Sequence, residues 1–230
     1  MRFFDIQLAR DEFHKKIGGG FPAGSIVLIE GSYGSGKSVI CQRIVYGLLQ
    51  NNYSATYIST QMTTLEFINQ MASIEYNINR ELISGTLLYI PVYPLISDNL
   101  KRVDFIDKLI NARPFYEKDI IVVDSLSTII FNDVNQENIV DLISFFKRIA
   151  SVEKVVIFTI NPGEIPDEIL KEIKLSATVI LDLELKPFGG DIKNILNVIK
   201  YNFARSNFQK ITVFRVEPKI GLVVEITSIS

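Results

Sequence analysis

One eight-residue stretch constrains this chain more than any other. Gly31-Ser32-Tyr33-Gly34-Ser35-Gly36-Lys37-Ser38 fits G-x-x-x-x-G-K-[ST] at every required position. A buried strand, Ser25 to Glu30 (SIVLIE), leads into it, and a helix-period segment, Lys37 to Leu49, leaves it with apolar residues at 40, 44, 45, 48 and 49. Glycine lets a backbone turn sharply and come close to an anion. The free N–H groups of the loop and the helix N-terminus supply partial positive charge. Lys37 adds a full charge at the β- and γ-phosphates, and Ser38 offers a hydroxyl to Mg²⁺. The reading is a nucleoside triphosphate site, ATP with Mg²⁺, made by Gly31 to Ser38 with Val39 at the start of the helix.

The rest of the chain supplies a frame for such a loop. Ala55 to Thr60, Leu87 to Val92, Asp119 to Asp124 (DIIVVD) and Lys154 to Ile160 (KVVIFTI) read as strands. Thr64 to Ile74, Asp98 to Ala112 and Glu137 to Ala150 read as helices, the second stopping before Arg113-Pro114. Strands alternating with helices predict a mostly parallel central sheet flanked by helices. Past residue 177 the pattern changes. Thr178 to Leu185, Ile195 to Tyr201, Ile211 to Glu217 and Leu222 to Thr227 are strands with turn signals at Phe188-Gly189-Gly190-Asp191 and Lys219-Ile220-Gly221. They predict an antiparallel C-terminal extension of the same sheet, within one α/β domain spanning 1–230. Asp124, closing an apolar strand, is the candidate second Mg²⁺ residue, held mostly through water. A cap on the turn at Ser125 is the alternative.

Composition narrows the class. Of 230 residues, 47% are hydrophobic and 22% charged, which suits a globular chain with a sizeable core. A formal net charge of -2 gives no bulk drive toward nucleic acid or anionic membranes. A single cysteine, Cys41, permits no intrachain disulfide, and the simple expectation is a reducing, intracellular compartment. Cys41 itself reads as a small core or nucleotide-adjacent residue. Met1 to Arg10 lacks the pattern of a signal peptide, and no apolar run approaches the roughly 20 residues that span a bilayer. Membrane contact is expected only through a partner. The lone His14, in a charged segment, reads as a surface residue, and Phe3-Phe4 as packing.

Lys16-Ile17-Gly18-Gly19-Gly20-Phe21-Pro22-Ala23-Gly24-Ser25, running into the phosphate loop, resembles the GGG-x-P-x-GS entrance of KaiC-like members of the RecA superfamily. Asp119 to Ser127 (DIIVVDSLS) is similar to their metal-binding strand. With Tyr57-Ile58-Ser59-Thr60-Gln61 added, the chain looks most like the FlaH (ArlH) family of the archaeal motility motor, the archaellum. The resemblance implies a RecA-like P-loop fold and ATP bound near a subunit interface in a ring or hexamer. It also implies a cytoplasmic place at the membrane motor. The partners it implies are the motor ATPase (FlaI/ArlI), a scaffold ring and a platform membrane protein, with no nucleic acid.

The chain departs from that family in two places. Where KaiC and RecA proteins carry a glutamate that prepares the attacking water, this chain has Gln61 followed by Met62. Glutamine orients water but cannot take its proton, and general-base help is worth about 10²–10⁴ in rate. Intact ATP binding with slow or absent hydrolysis is therefore expected. In some GTPases a glutamine does position the water, and Glu66 is an alternative carboxylate whose other reading is a solvated helix face. The family's Lys-x-Arg pair, which reaches the neighbouring subunit's phosphates, is replaced by Lys200-Tyr201-Asn202 with Arg205 nearby. Lys200 and Arg205 either keep that role or are surface charges on a hairpin. Asn161 is either a γ-phosphate sensor or a cap for the turn at Pro162-Gly163. An active ATPase or autokinase, with Ser125, Ser127 and Thr128 in reach, and a RecA/RadA-type DNA recombinase are the rival functions.

Overall fold

The computed structural model describes residues 2–92, 104–188 and 191–225. In chain order the elements are β1 (Phe3–Asp5), α1 (Phe13–Lys16), β2 (Gly20–Pro22), β3 (Ile26–Gly31), α2 (Lys37–Gln50), β4 (Ala55–Ser59), α3 (Thr64–Ser73), α4 (Asn79–Ile83) and β5 (Leu87–Pro91). After them come α5 (Phe105–Asn111), a 3₁₀ turn (Arg113–Tyr116), β6 (Ile120–Asp124), α6 (Leu126–Ile130), α7 (Gln136–Ser151), β7 (Val155–Ile160) and α8 (Asp167–Ser176). The chain closes with β8 (Val179–Phe188), β9 (Asp191–Tyr201), β10 (Ile211–Glu217) and β11 (Gly221–Val224).

The main sheet has the order β11-β10-β9-β8-β3-β7-β6-β4-β5. From β8 to β5 all neighbours are parallel, and β9, β10 and β11 add antiparallel pairs. The continuous apolar run of β3 is explained by burial on both faces. Val27 and Ile29 meet α2 and the N-terminal segment, while Ile26 and Leu28 meet the layer of α5 to α8. Two apolar layers therefore sandwich the sheet, and the ends of its parallel strands are left to form a site.

The glycine-rich entrance has a steric cause. β1 pairs with β2 in a small separate sheet, Asp5 opposite Gly20. A Cβ on Gly20 would stand 2.0 Å from the carbonyl oxygen of Phe4. Only glycine permits that approach. The N-terminal segment is also bolted to α2. Arg43, fully buried, donates to both oxygens of Asp11, at 2.6 and 2.7 Å, and to the carbonyl of Ile6 at 3.0 Å.

Several expectations are revised. His14 is buried, with Nδ1 making no hydrogen bond, because the one-turn α1 points Phe13 and His14 inward. The helix expected over Asp98 to Ala112 is seen as Phe105–Asn111, and its first residues, 98–103, lie outside the described residues, as do Gly189-Gly190 and the end of the last strand, 226–227. The short helices α4 and α6, and the ten-residue α8 after Pro166, were not expected at all. Cys41 and Phe4 are fully buried.

Glu66 is exposed and closes a capping box. Its carboxylate accepts from the Thr63 backbone at 2.7 Å, and the Thr63 hydroxyl accepts from the Glu66 backbone at 3.1 Å. The carboxyl is held below the usual glutamate range by those bonds to Thr63. Thr63→Ala is expected to lower stability by about 1 kcal/mol, measured as a shift in the urea midpoint at unchanged slope.

Candidate functional site

The C-terminal ends of four adjacent parallel strands bring the candidate residues together. β3 ends in the loop Gly31–Ser38, β7 delivers Thr159 and Asn161, β6 delivers Asp124, and β4 runs into Gln61. The loop packs tightly on β8: a Cβ on Gly31 would lie 2.5 Å from the carbonyl oxygen of Leu183 and 2.6 Å from the Ser35 hydroxyl. Ser35 is buried, and its Oγ has no hydrogen-bond partner. Ser38 and Val39, half-buried, open α2, and Val39 packs on the core beneath.

Lys37 is 6% exposed. Its Nζ turns back into its own loop, donating to the carbonyls of Gly31 at 2.7 Å and Ser32 at 2.8 Å. Burial pulls its pKa below the usual lysine value, opposed by the charges of Asp124 and Glu164. A cation held against a desolvation cost beside free N–H groups suits an incoming anion.

Asp124 is buried and oriented from both sides. Tyr57 Oη donates to one carboxylate oxygen and Thr159 Oγ1 to the other, each at 2.8 Å. Burial, then the adjacent Asp124, push the Tyr57 phenol well above its ordinary value, so it stays a donor. The end of β4 is stapled to the same point. The Thr60 amide donates to the Asp124 carbonyl at 2.8 Å, and the Ser125 amide donates to the Thr60 hydroxyl at 3.1 Å. Gln61 follows at once, exposed, with its amide on the Ser59 hydroxyl at 3.3 Å.

Asn161 is buried, and its backbone, rather than its side chain, makes the turn: its carbonyl accepts from the Glu164 amide at 3.2 Å. The carboxamide makes no well-formed hydrogen bond, though it lies close enough to Glu164 to favour that carboxylate's charge. Glu164 was not foreseen. It accepts from Ser127 at 2.6 Å, from Thr128 at 3.1 Å and from Tyr33 of the loop through a very short bond. Thr159 did leave a sequence signal, as a hydroxyl inside an otherwise apolar strand, whereas Tyr57 stands in the mixed strand ATYIS. A glutamate in a loop leaves none.

Lys200 and Arg205 are elsewhere. Lys200 pairs with Ile180, which is level with Leu28 near the start of β3, so it sits toward the end of the sheet opposite the chain's own loop. Its Nζ donates to the Ala177 carbonyl at 2.5 Å. Arg205 lies over the ring of Phe3 at 5.4 Å, in a shallow pocket with Arg2, Pro22 and Phe203. Neither belongs to the phosphate site of the same chain.

The comparisons with known proteins agree with this geometry. The family described as "ATPase: KaiC" matches residues 10–227. The archaeal flagellar ATP-binding protein FlaH of Methanocaldococcus jannaschii is 54% identical over 230 residues, covering 100% of this chain and 99% of the relative. The crystal structure of that flagellar accessory protein superposes with a TM-score of 0.94, over 98% of this chain and 100% of the other. A KaiC-like protein of Pyrococcus horikoshii, 19% identical, shares the fold at a TM-score of 0.76 over 98% of this chain and 100% of its own. A phosphate loop at the head of a mostly parallel sheet, an oriented strand-end aspartate and full-length identity above one half place the chain in the KaiC family of ATPases, among the archaeal flagellar ATP-binding proteins FlaH.

Proposed function

We propose that this chain, as a single nucleotide-binding domain, binds ATP with Mg²⁺ at Gly31–Ser38. In this reading it serves as a regulatory and assembly component of the archaeal motility motor. The observation that carries the proposal is the convergence of the loop, Lys37 and Asp124 on one end of the sheet. Ser38 and Asp124 are the residues that would hold Mg²⁺. The donor set fits: an alcohol and a carboxylate whose two hydrogen bonds leave lone pairs free are hard oxygen ligands. They suit an ion that keeps several waters and is completed by phosphate. When bound, Mg²⁺ neutralises charge on the β- and γ-phosphates.

Nucleotide binding then controls ring or hexamer assembly and contacts with the motor ATPase FlaI/ArlI, the scaffold ring and the platform membrane protein on the cytoplasmic side. Its energy is the difference in ATP affinity between two states, for which hydrolysis is not required. In this reading Lys200 and Arg205, remote from their own loop, serve a neighbour's phosphates. No helix among the described residues is long and apolar enough to cross a membrane.

Gln61 sets the expected chemistry. Wild type is expected to bind ATP tightly with Mg²⁺ and release phosphate well below about 1 s⁻¹. Gln61→Glu is expected to raise that release. Brisk release by wild type that Gln61→Glu leaves unchanged or lowers would overturn the reading. The rival, an active ATPase or autokinase, is favoured by the Ser127 and Thr128 hydroxyls donating to a carboxylate beside the loop. Labelled phosphate found on the protein rather than in solution would identify the autokinase.

A further inference from the structure

Glu164 has no part in the binding just proposed, yet it joins three elements at the phosphate loop. It stands in the turn after β7. One carboxylate oxygen accepts from the Tyr33 hydroxyl of the loop, and the other from Ser127 and Thr128 of α6. Ser127 Oγ in turn accepts from the Asn161 amide at 3.0 Å, which fixes the base of the turn. Burial pushes the Glu164 carboxyl up, but the hydrogen bonds from Ser127, Tyr33 and Thr128, with the nearby Asn161 carboxamide, outweigh it and leave the carboxyl below the usual glutamate range. It is an anion at neutral pH.

The position of this anion matters because of Lys37. The ammonium lies 5.8 Å from the centre of the Tyr33 ring and feels the charge of Glu164 as well as that of Asp124. It points into the Gly31 and Ser32 carbonyls. The Tyr33–Glu164 bridge therefore spans from the loop at the end of β3 to the turn at the end of β7, close to the Lys37 ammonium. Tyr33 is otherwise 68% exposed, so its ring has no core to fill, and the bridge is its main attachment.

We propose that the Tyr33–Glu164 bridge discriminates ATP from ADP. The terminal phosphate of ATP brings negative charge against the Glu164 carboxylate and takes over the field of Lys37, so ATP has to open the bridge. ADP, ending one phosphate short, leaves it closed. Opening releases the Tyr33 end of the bridge, while Ser127 and Thr128 keep Glu164 and its turn in place ahead of α8. The inference rests on the ATP-site reading and adds to it a residue pair that sets nucleotide preference.

The test is calorimetric titration of wild type, Glu164→Gln and Tyr33→Phe with MgATP and MgADP at one ionic strength. Glu164→Gln removes the charge and keeps one accepting oxygen, the amide NH₂ facing the other hydroxyls as a donor. It is expected to raise the ratio of ATP to ADP affinity about fivefold or more. Tyr33→Phe opens the bridge but leaves the carboxylate, and is expected to move the ratio the same way by about two- to threefold. If Glu164→Gln fails to fold, Tyr33→Phe decides, since it deletes only an exposed hydroxyl. Ratios indistinguishable from wild type in the folded variants would overturn the inference while leaving the ATP site intact. Wild type binding neither nucleotide would overturn the ATP site, and the inference with it.

Discussion

Arg43→Met is expected to cost about 3–5 kcal/mol of folding stability, the largest effect of any single substitution considered for this chain. Arg43 is 0% exposed, and its partner Asp11 is nearly as buried. Removing the guanidinium strands the Asp11 carboxylate in a low-dielectric setting and leaves the Ile6 carbonyl without a donor. The attraction between the two charges is not the main term, because the pair together is worth little more than well-packed apolar side chains. The control follows from that. Arg43→Met with Asp11→Leu is expected to recover most of the loss, since no charge is then left unpaired. Urea unfolding of the two single variants and the double variant measures this. A double variant as unstable as the sum of the singles would mean that the packing of α1 on α2, rather than the charge, is what counts.

Lys37→Ala is expected to weaken ATP binding by about 10- to 10²-fold while the unliganded protein keeps or slightly raises its melting temperature. A charge-assisted bond to phosphate is worth about 1.5–3 kcal/mol, and tenfold in affinity is about 1.4 kcal/mol. The folded state disfavours the Lys37 charge, as its lowered pKa shows, so its removal relieves a cost in the absence of ligand. Loss of binding together with a large fall in melting temperature would instead make Lys37 a structural residue of the loop. The two readouts, ATP titration and thermal melting, therefore separate a ligand contact from a scaffold contact.

Much of the frame was legible because it depends on burial. β3, β6 and β7 are apolar on both faces, and α2, α3 and α7 carry a helical period, so their place was readable within a residue or two at most ends. The loop and Asp124 were legible because phosphate chemistry demands those residue types at those points. The misses are tertiary. His14 sits among charged neighbours in the chain, but α1 is one turn long, and its direction is set by the Arg43–Asp11 pair nearby, which no local pattern encodes. α8 buries only Ile169, Leu170 and Ile173, with its other apolar residue, Leu175, exposed, a stripe too short to announce a helix alone. Glu164 lies in a turn whose neighbours are assembled from β3 and α6, so its function-bearing contacts exist only in the folded chain. Glu66 shows the reverse: the T-x-x-E spacing was present in the sequence, and the cap, rather than the site, is where its carboxylate lies.

The placing of β3 at the centre of the sheet has a kinetic consequence. Its two neighbours, β7 and β8, are made long after it: Val27 pairs with Ile157 on one side and Val179 on the other. During synthesis the loop sequence emerges early but has no partner strand until most of the chain has followed. Contacts of such wide separation slow folding, because the loop-closure entropy must be overcome before the ladder forms. The phosphate loop is thus synthesised long before the strands that hold it in shape. Nucleotide binding in a refolding experiment should therefore appear with the final phase of recovery, and a bound nucleotide marks a chain whose sheet is already complete.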